Sequence, residues 1–293
     1  MEIRRITSAL QKKVKEAWEV RKENFPPFIQ FDYPTETKPV SLTGNQCHLD
    51  CAHCGGHYLE HMDSLDSLAK QEKNKYSSCL ISGGCDSSGK IDFDAHLEEL
   101  KHISNDKKLN MHVGLVDEEE IPKISQIADS VSFDFIADQE TIKEVYGLNR
   151  TVDDYIKAYQ NLRKEMTVLP HICIGLKGGV IAGEYRALEI LKELGAEGLV
   201  FIVFIPTKDT RYENCSPPIL EEVIEVLTTA RINFPDIPIH LGCMRPKGRY
   251  RAELDYYAVA AGVNKVVVPT SFGIKKAEEL GLEIKKGEEC CIL

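Results

Sequence analysis

Cys47-His48-Leu49-Asp50-Cys51-Ala52-His53-Cys54-Gly55 is the stretch on which the reading of this chain turns. It sets three thiols at x3 and x2 spacing in one short loop. Three thiolates can hold three irons of a 4Fe–4S cluster and leave the fourth iron open to a small ligand, which a cluster with four cysteine ligands cannot easily do. His48, His53, His57 and His61 lie nearby. A zinc knuckle is therefore the competing reading, and the chain would then be a zinc-binding interaction protein and not an enzyme. Zinc sites usually show a second pair at C-x2-C or H-x3-5-H spacing. The context favours the cluster. The cysteines follow a short strand-like run, Pro39–Leu42, and a Gly44-Asn45 turn. They precede a helix-like segment, and a second apolar run then ends in Ser82-Gly83-Gly84.

Composition narrows the class. The 293 residues are 43% hydrophobic, which suits a globular chain with a sizeable core. No apolar run approaches the roughly 20 residues that span a bilayer. The N-terminal stretch MEIRRITSALQKKVKEAWEV is amphipathic and lacks the apolar region of a signal peptide, so a cytoplasmic protein without a membrane partner is expected. The net charge of −10, from 36 basic and 46 acidic residues, argues against a nucleic-acid partner. Ten cysteines in such a compartment are reduced thiols, some of them metal ligands. The terminal Cys290-Cys291-Ile292-Leu293 matches a prenylation pattern, but the preceding Lys285-Lys286-Gly287-Glu288-Glu289 is no polybasic run.

Outward from the cysteines, strand-like and helix-period segments alternate. The strands are expected at Val40–Thr43, Cys79–Ser82, Met111–Leu115, Ser130–Phe135, Pro170–Gly175, Val200–Ile205, Pro238–Gly242 and Lys265–Pro269. Amphipathic stretches lie between them: Phe93–Ile103, Thr151–Met166, Glu184–Leu194, Pro218–Asn233, Arg251–Ala261 and Ile274–Leu280. Eight βα units read as an α/β fold, a (β/α)8 TIM-type barrel with an N-terminal helix at about Ile6 to Glu23. We expect a single domain over 1–293, with 1–37 as a helical cap and 282–293 as a cysteine-bearing tail. Catalytic groups of such barrels sit at the C-terminal ends of strands. Cys47, Cys51 and Cys54, then Gly83-Gly84-Cys85, Asp134, Lys177-Gly178-Gly179, Thr207 and Cys243-Met244-Arg245 all fall there.

Several of these residues have two readings. Cys85, Cys243, Cys290 and Cys291 can ligate a second iron–sulfur cluster, with Cys215 in reserve. Alternatively Cys243 is a small buried hydrophobe and the tail is unstructured. Cys79 and Cys173 lie within strand patterns and read as core. Arg245, with Arg249 and Arg251 nearby, can bind a carboxylate of cofactor, substrate or partner, or belong to a solvated loop. Asp134 can accept from ribose hydroxyls or cap local backbone. His171 reads as a barrel-interior histidine. Glu184 reads as a first-turn carboxylate favoured by the helix dipole. The Gly175–Gly183 stretch can approach an adenosine. Tyr146 and Tyr155 read as packing residues.

The three-cysteine motif resembles that of the radical S-adenosylmethionine (SAM) enzymes. In that superfamily SAM chelates the open iron, and an electron from the cluster splits it to give a 5′-deoxyadenosyl radical. The resemblance implies that Gly83 and Gly84 bring backbone close to the SAM amino group. Cys85 stands where the family carries an acidic residue, and His53 where it carries an aromatic one. Over most of the chain the sequence is similar to the subgroup that contains the two-component lipoyl synthases. The carrying segments are Asn45–Gly56, Ser82–Gly89, Asp134–Arg150, Gly242-Cys243-Met244-Arg245-Pro246 with Gly248-Arg249-Tyr250-Arg251, and Cys290-Cys291. That likeness implies sulfur insertion into an octanoyl chain at the expense of a second cluster. It implies as partners an octanoyl-carrier domain, a homologous second radical SAM chain and an electron donor. The N-terminal C-x4-C-x5-C motif of single-chain lipoyl synthases is absent. A radical SAM enzyme of another cofactor pathway, biotin-like or hydrogenase-maturation-like, is the alternative within the superfamily.

Overall fold

The computed structural model describes residues 3–69 and 76–292; the first two residues of the expected cap and the last of the expected tail lie outside them. The strands are β1 (Phe28–Asp32), β2 (Thr37–Ser41), β3 (Asp63–Ser64), β4 (Ser78–Ser82), β5 (Lys108–His112) and β6 (Ser130–Asp134). They continue with β7 (Val168–Ile174), β8 (Leu199–Val203), β9 (Ile239–Leu241), β10 (Lys265–Val267) and β11 (Glu283–Gly287). The helices are α1 (Ser8–Asn24), α2 (Leu65–Ala69), α3 (Leu97–Ser104), α4 (Ile121–Ile124) and α5 (Gln139–Tyr146). After them come α6 (Val152–Glu165), α7 (Glu184–Glu193), α8 (Leu220–Asn233), α9 (Arg249–Ala260) and α10 (Ser271–Glu279).

All eight expected strands form, as β2, β4 and β5 to β10. With β1, β3 and β11 they make one parallel sheet of eleven strands in the order β11-β1-β10-β9-β8-β7-β6-β5-β4-β2-β3. This is a half-barrel and not the closed eight-strand ring. Consecutive β1 and β2 stand near opposite ends of the sheet, and no backbone ladder joins them. Part of the expected cap and part of the expected tail are thus strands. β1 and β11 pair along Phe28–Asp32 and Glu283–Gly287. Their polar residues, as in Gln30 and Lys285-Lys286, hide the strand pattern.

Helix α1 lies outside the sheet, with Leu10, Val14 and Ala17 buried and Lys13 Nζ donating to Thr229 Oγ1 of α8 at 2.8 Å. Side chains alternate along each strand. On β6, Phe133 faces outward onto Tyr155 and Tyr159 of α6. The inward set is polar: Ser130, Ser132 and Asp134 on β6, Asn110 and His112 on β5, His171 on β7, His240 on β9 and Lys265 on β10. Ser132 Oγ donates to Asn110 Oδ1 at 3.0 Å, and Lys265 Nζ pairs with Asp32 Oδ2 at 2.9 Å.

The chain beyond β11 fills the open side. Gly287 and Glu288 carbonyls accept from Tyr33 and Glu36 amides. Glu289 then bridges the bottoms of β4 and β5, accepting from Ser77 Oγ at 3.0 Å and Lys108 Nζ at 2.8 Å. Cys290 and Cys291 enter the lumen. Cys291 packs on Leu169, Val200 and Val267, and its carbonyl accepts from His240 Nδ1 at 2.8 Å. Residues of β5, β7, β8, β9 and β10 all touch this segment, so the sheet curls around it. Burying two such side chains contributes a few kcal/mol. Removing residues 288–293 is expected to lower the thermal midpoint by about 5 °C or more, measurable by differential scanning calorimetry.

Candidate functional site

Two groups of thiols face one chamber. The upper group is the motif loop after β2, and it carries Cys47, Cys51 and Cys54. Its backbone is held from three sides. Ala52 donates to the Val145 carbonyl at 2.7 Å, His48 donates to the Cys85 carbonyl at 2.8 Å, and the Arg211 guanidinium donates to the carbonyls of Asp50, Glu144 and Val145. Gly84, after β4, lies directly beneath. A Cβ there would stand 2.6 Å from Cys47 Cα and 2.7 Å from Cys47 Cβ and would overlap the Gln46 carbonyl oxygen. Gly84 also donates its amide to Thr43 Oγ1 at 2.7 Å. The physical demand for glycine here is thus the crossing of the motif loop.

Cys85 belongs to this upper group. Its thiol is pushed up to about 12, first by burial and then by the charges of Cys47, Asp134, Asp86 and Cys54. Cys51 is raised by burial and by Cys54, Cys47 and Cys85. Burial also raises Cys54, against amide hydrogen bonds from Tyr58 and Gly56. Several thiolates this close repel one another, and bound iron relieves that repulsion. Among the described residues no group of three or more His, Cys, Asp or Glu side chains, as they stand, is placed to hold a metal ion. The donor chemistry, the loop geometry and the bare Gly84 nevertheless fit a cluster on Cys47, Cys51 and Cys54. The nearby histidines add little to a zinc reading. His48 is exposed. His57 and His61 pack on each other with ring centroids 5.2 Å apart. His53 is buried edge-on to Tyr146 at 5.6 Å, a packing role that an aromatic would also serve.

The lower group is Cys243, Cys290 and Cys291. Cys290 Sγ and Cys291 Sγ are 3.8 Å apart, and Cys291 Sγ is 3.6 Å from His171 Nε2. The hydrogen bond between them lowers Cys290 and raises Cys291, and burial pushes both thiols up. Cys243, just beyond β9, is exposed and not the buried small hydrophobe of the alternative reading. The set proposed for a second cluster is therefore split: Cys85 sits with the motif loop, and the other three sit together below. Cys215, the reserve ligand, packs in the loop after β8 close to Gly178 and Tyr212.

Between the groups lie Asp134, His112, Cys173 and Tyr146. Each keeps surface that water can reach, yet protein surrounds each on all sides. Both hold together because these side chains line an internal chamber. Asp134 pairs in register with His171, and burial raises its carboxyl against the pull of that histidine. His112 and His171 stack with ring centroids 5.6 Å apart. Cys79 is core, as expected; Cys173 is half-buried and faces the chamber. Tyr146, expected only to pack, lines the chamber too. A period-two polar pattern, Asn110-x-His112 and Ser130-x-Ser132-x-Asp134, was the available signal for this lining.

Other expectations are corrected. Arg245 is fully buried. Its Nε pairs with Asp255 Oδ1 at 2.8 Å, and its terminal nitrogens donate to the carbonyls of Gly242, Val267 and Val268. The carboxylate it binds is the protein's own, and it ties the ends of β9 and β10 to α9. The Gly175–Gly183 stretch wraps around residues 216–218, with Gly175 against Pro218. Glu184 closes that loop, its carboxylate accepting from the Gly175 and Ala182 amides at 2.6 and 2.7 Å. No helix among the described residues is long and apolar enough to cross a membrane.

No protein-family model and no curated protein matches the chain. Solved structures do. Methylornithine synthase (PylB) superposes over 96% of this chain and 91% of its own, with a TM-score of 0.69 at 14% identity. The FeFe-hydrogenase maturase HydG gives 0.71 at 12% identity over 96% of this chain and 70% of its own. SuiB of Streptococcus suis bound to S-adenosylmethionine gives 0.51 at 13% identity over 86% and 60%. At such identities the likeness establishes a shared fold.

Two measurements test this description. Gly84→Ala should displace the motif loop, so that the variant folds with a lowered thermal midpoint and binds several-fold less iron after anaerobic reconstitution. The second concerns pH. Burial holds His112 at about 4 and His240 at about 3, below the usual 6.5 or so. The unfolded chain then takes up protons that the fold refuses. The stability these groups contribute is full above about pH 6.5 and is lost as pH falls toward 4, on the order of 3 kcal/mol for a group shifted to about 4. The urea midpoint should drop between pH 7 and pH 5, and drop less steeply in His112→Gln.

Proposed function

We propose that this chain is a radical SAM enzyme. The observation that carries the proposal is the three-thiol loop at the C-terminal end of β2, seated on Gly84 and opening onto the polar interior of the half-barrel. The shared fold with SuiB, whose structure holds S-adenosylmethionine, supports it. Cys47, Cys51 and Cys54 would hold the cluster. Gly83, Gly84 and Asp134 would contact SAM, as the sequence resemblance implies. When bound, the cluster and SAM supply one-electron cleavage of a sulfonium carbon–sulfur bond, and with it a carbon radical able to take hydrogen from an unactivated C–H.

The chain's own residues do the remaining work. The barrel wall and the inserted tail exclude bulk water from the chamber. Asp134 and His112 orient polar groups of a substrate, and burial keeps His112 neutral. A bound substrate is thereby held at a fixed distance from the motif loop, which is where most of the rate advantage of such a site arises.

The narrower reading is sulfur insertion into an octanoyl chain, as one component of a split lipoyl synthase acting with a carrier domain and a second homologous chain. It is supported by the sequence resemblance alone. It requires the lower thiol group to carry a sulfide-bearing cluster.

Iron, sulfide and SAM cleavage decide between the readings. After anaerobic reconstitution the wild type should bind at least about four irons. It should release 5′-deoxyadenosine with a reductant, detected by chromatography. Cys47→Ala/Cys51→Ala/Cys54→Ala should lose about four irons and all cleavage. A colourless protein that takes up zinc through these cysteines would refute the radical reading. About eight irons, with labile sulfide that disappears in Cys290→Ser/Cys291→Ser, would establish sulfur insertion as the leading chemistry.

A further inference from the structure

The lower thiol group has the dimensions of a different kind of centre. In a tetrahedral zinc site, metal–sulfur bonds of about 2.3 Å and metal–nitrogen bonds of about 2.0–2.1 Å set the ligand edges at about 3.8 Å between two sulfurs and about 3.6 Å between sulfur and nitrogen. Cys290 Sγ and Cys291 Sγ are 3.8 Å apart, and Cys291 Sγ and His171 Nε2 are 3.6 Å apart. Two edges of one tetrahedron are thus in place. Two thiolates this close suit one ion and not two separate irons of a cuboidal cluster.

The histidine is set up as a ligand. His171 Nδ1 lies 3.1 Å from the Leu169 carbonyl oxygen. A carbonyl only accepts, so Nδ1 carries the proton and Nε2 presents its lone pair toward Cys291. Metal-ligating histidines commonly have their other ring N–H fixed in this way. His240 repeats the arrangement, its Nδ1 donating to the Cys291 carbonyl at 2.8 Å and so fixing the tail backbone where the thiol must stand. Cys243 follows β9 three residues after His240 and its side chain is exposed, which makes it the candidate fourth ligand.

We propose that Cys243, Cys290, Cys291 and His171 bind a single tetrahedral divalent metal ion of the zinc type. Such an ion ties β7, β9 and the tail together on the inner face of the sheet. The assignment does not rest on the reading of the upper loop. A single ion brings no sulfide, so this site and sulfur insertion exclude each other.

The experiment uses the full chain carrying Cys47→Ala/Cys51→Ala/Cys54→Ala, titrated anaerobically with cobalt(II) and separately with zinc. One equivalent of cobalt should bind, with the visible ligand-field bands of a tetrahedral thiolate site. Zinc at a hundredfold excess over its dissociation constant should raise the thermal midpoint by several degrees. Cys290→Ser/Cys291→Ser should abolish both effects. His171→Ala should weaken binding a hundredfold or more, and Cys85→Ala should leave it unchanged. If His171→Ala does not fold, X-ray absorption of the zinc-loaded parent replaces it, with three sulfurs and one nitrogen expected. The proposal is overturned by no binding, by binding indifferent to the tail cysteines, by an all-sulfur shell, by dependence on Cys85, or by labile sulfide held on these residues. Loss of SAM cleavage in the wild type would instead bear only on the upper loop.

Discussion

The constraint on which this fold depends is the missing ladder between β1 and β2. Consecutive in the chain, they stand near opposite ends of an eleven-strand parallel sheet. A parallel sheet left open would expose a lumen lined by Asn110, His112, Ser132, Asp134, His171, His240 and Lys265. The segment after β11 fills that lumen, and it does so with side chains that suit a polar wall. Glu289 meets Lys108 and Ser77 at the rim, while Cys290 and Cys291 meet Asn110 and His171 within. The outer faces of the strands are apolar and take the helices. The molecule therefore has its hydrophobic core outside the sheet and its chemistry inside.

That inversion explains the electrostatics. Charges inside the sheet are either paired or suppressed. Arg245 with Asp255 and Lys265 with Asp32 are paired. His112, His171 and His240 are held neutral by burial. Removing one partner of a buried ion pair costs about 3–5 kcal/mol, because the other charge is left without compensation. Thiols follow the same rule, except where a hydrogen bond with a neighbour counters it. Cys290 is lowered by its hydrogen bond with Cys291, while Cys51, Cys54 and Cys85 are raised by burial and, to differing degrees, by one another's charges.

The periodic parts of this architecture were legible in the sequence. Apolar alternation located eight strands and seven of the helices, because the outward faces of the strands and the inner faces of the helices meet in one core. Strand ends were displaced where inward residues are polar. Lys108 and Asn110 begin β5, three residues before the apolar run that announces it, and β1 and β11 were missed for the same reason. The motif thiols were legible because their spacing is local. The assignment of Cys85 was not, since the loop it joins comes from a different strand end. Arg245 was misread because a lone arginine beside a cysteine gives no sign of Asp255 ten residues on. The lower group was half legible. The adjacent thiols drew attention, but only the fold brings His171 to them.

The chamber wall has one further consequence. Burial keeps Cys173 and Tyr146 protonated well beyond the pH at which a free thiol or phenol would ionise. A protonated thiol and a protonated phenol carry the most easily broken bonds to hydrogen on that wall. Any carbon-centred radical formed between the two thiol groups is thus flanked by hydrogen-atom donors supplied by the protein itself. On the proposed reading, its lifetime would be governed by how rigidly a substrate is held away from them.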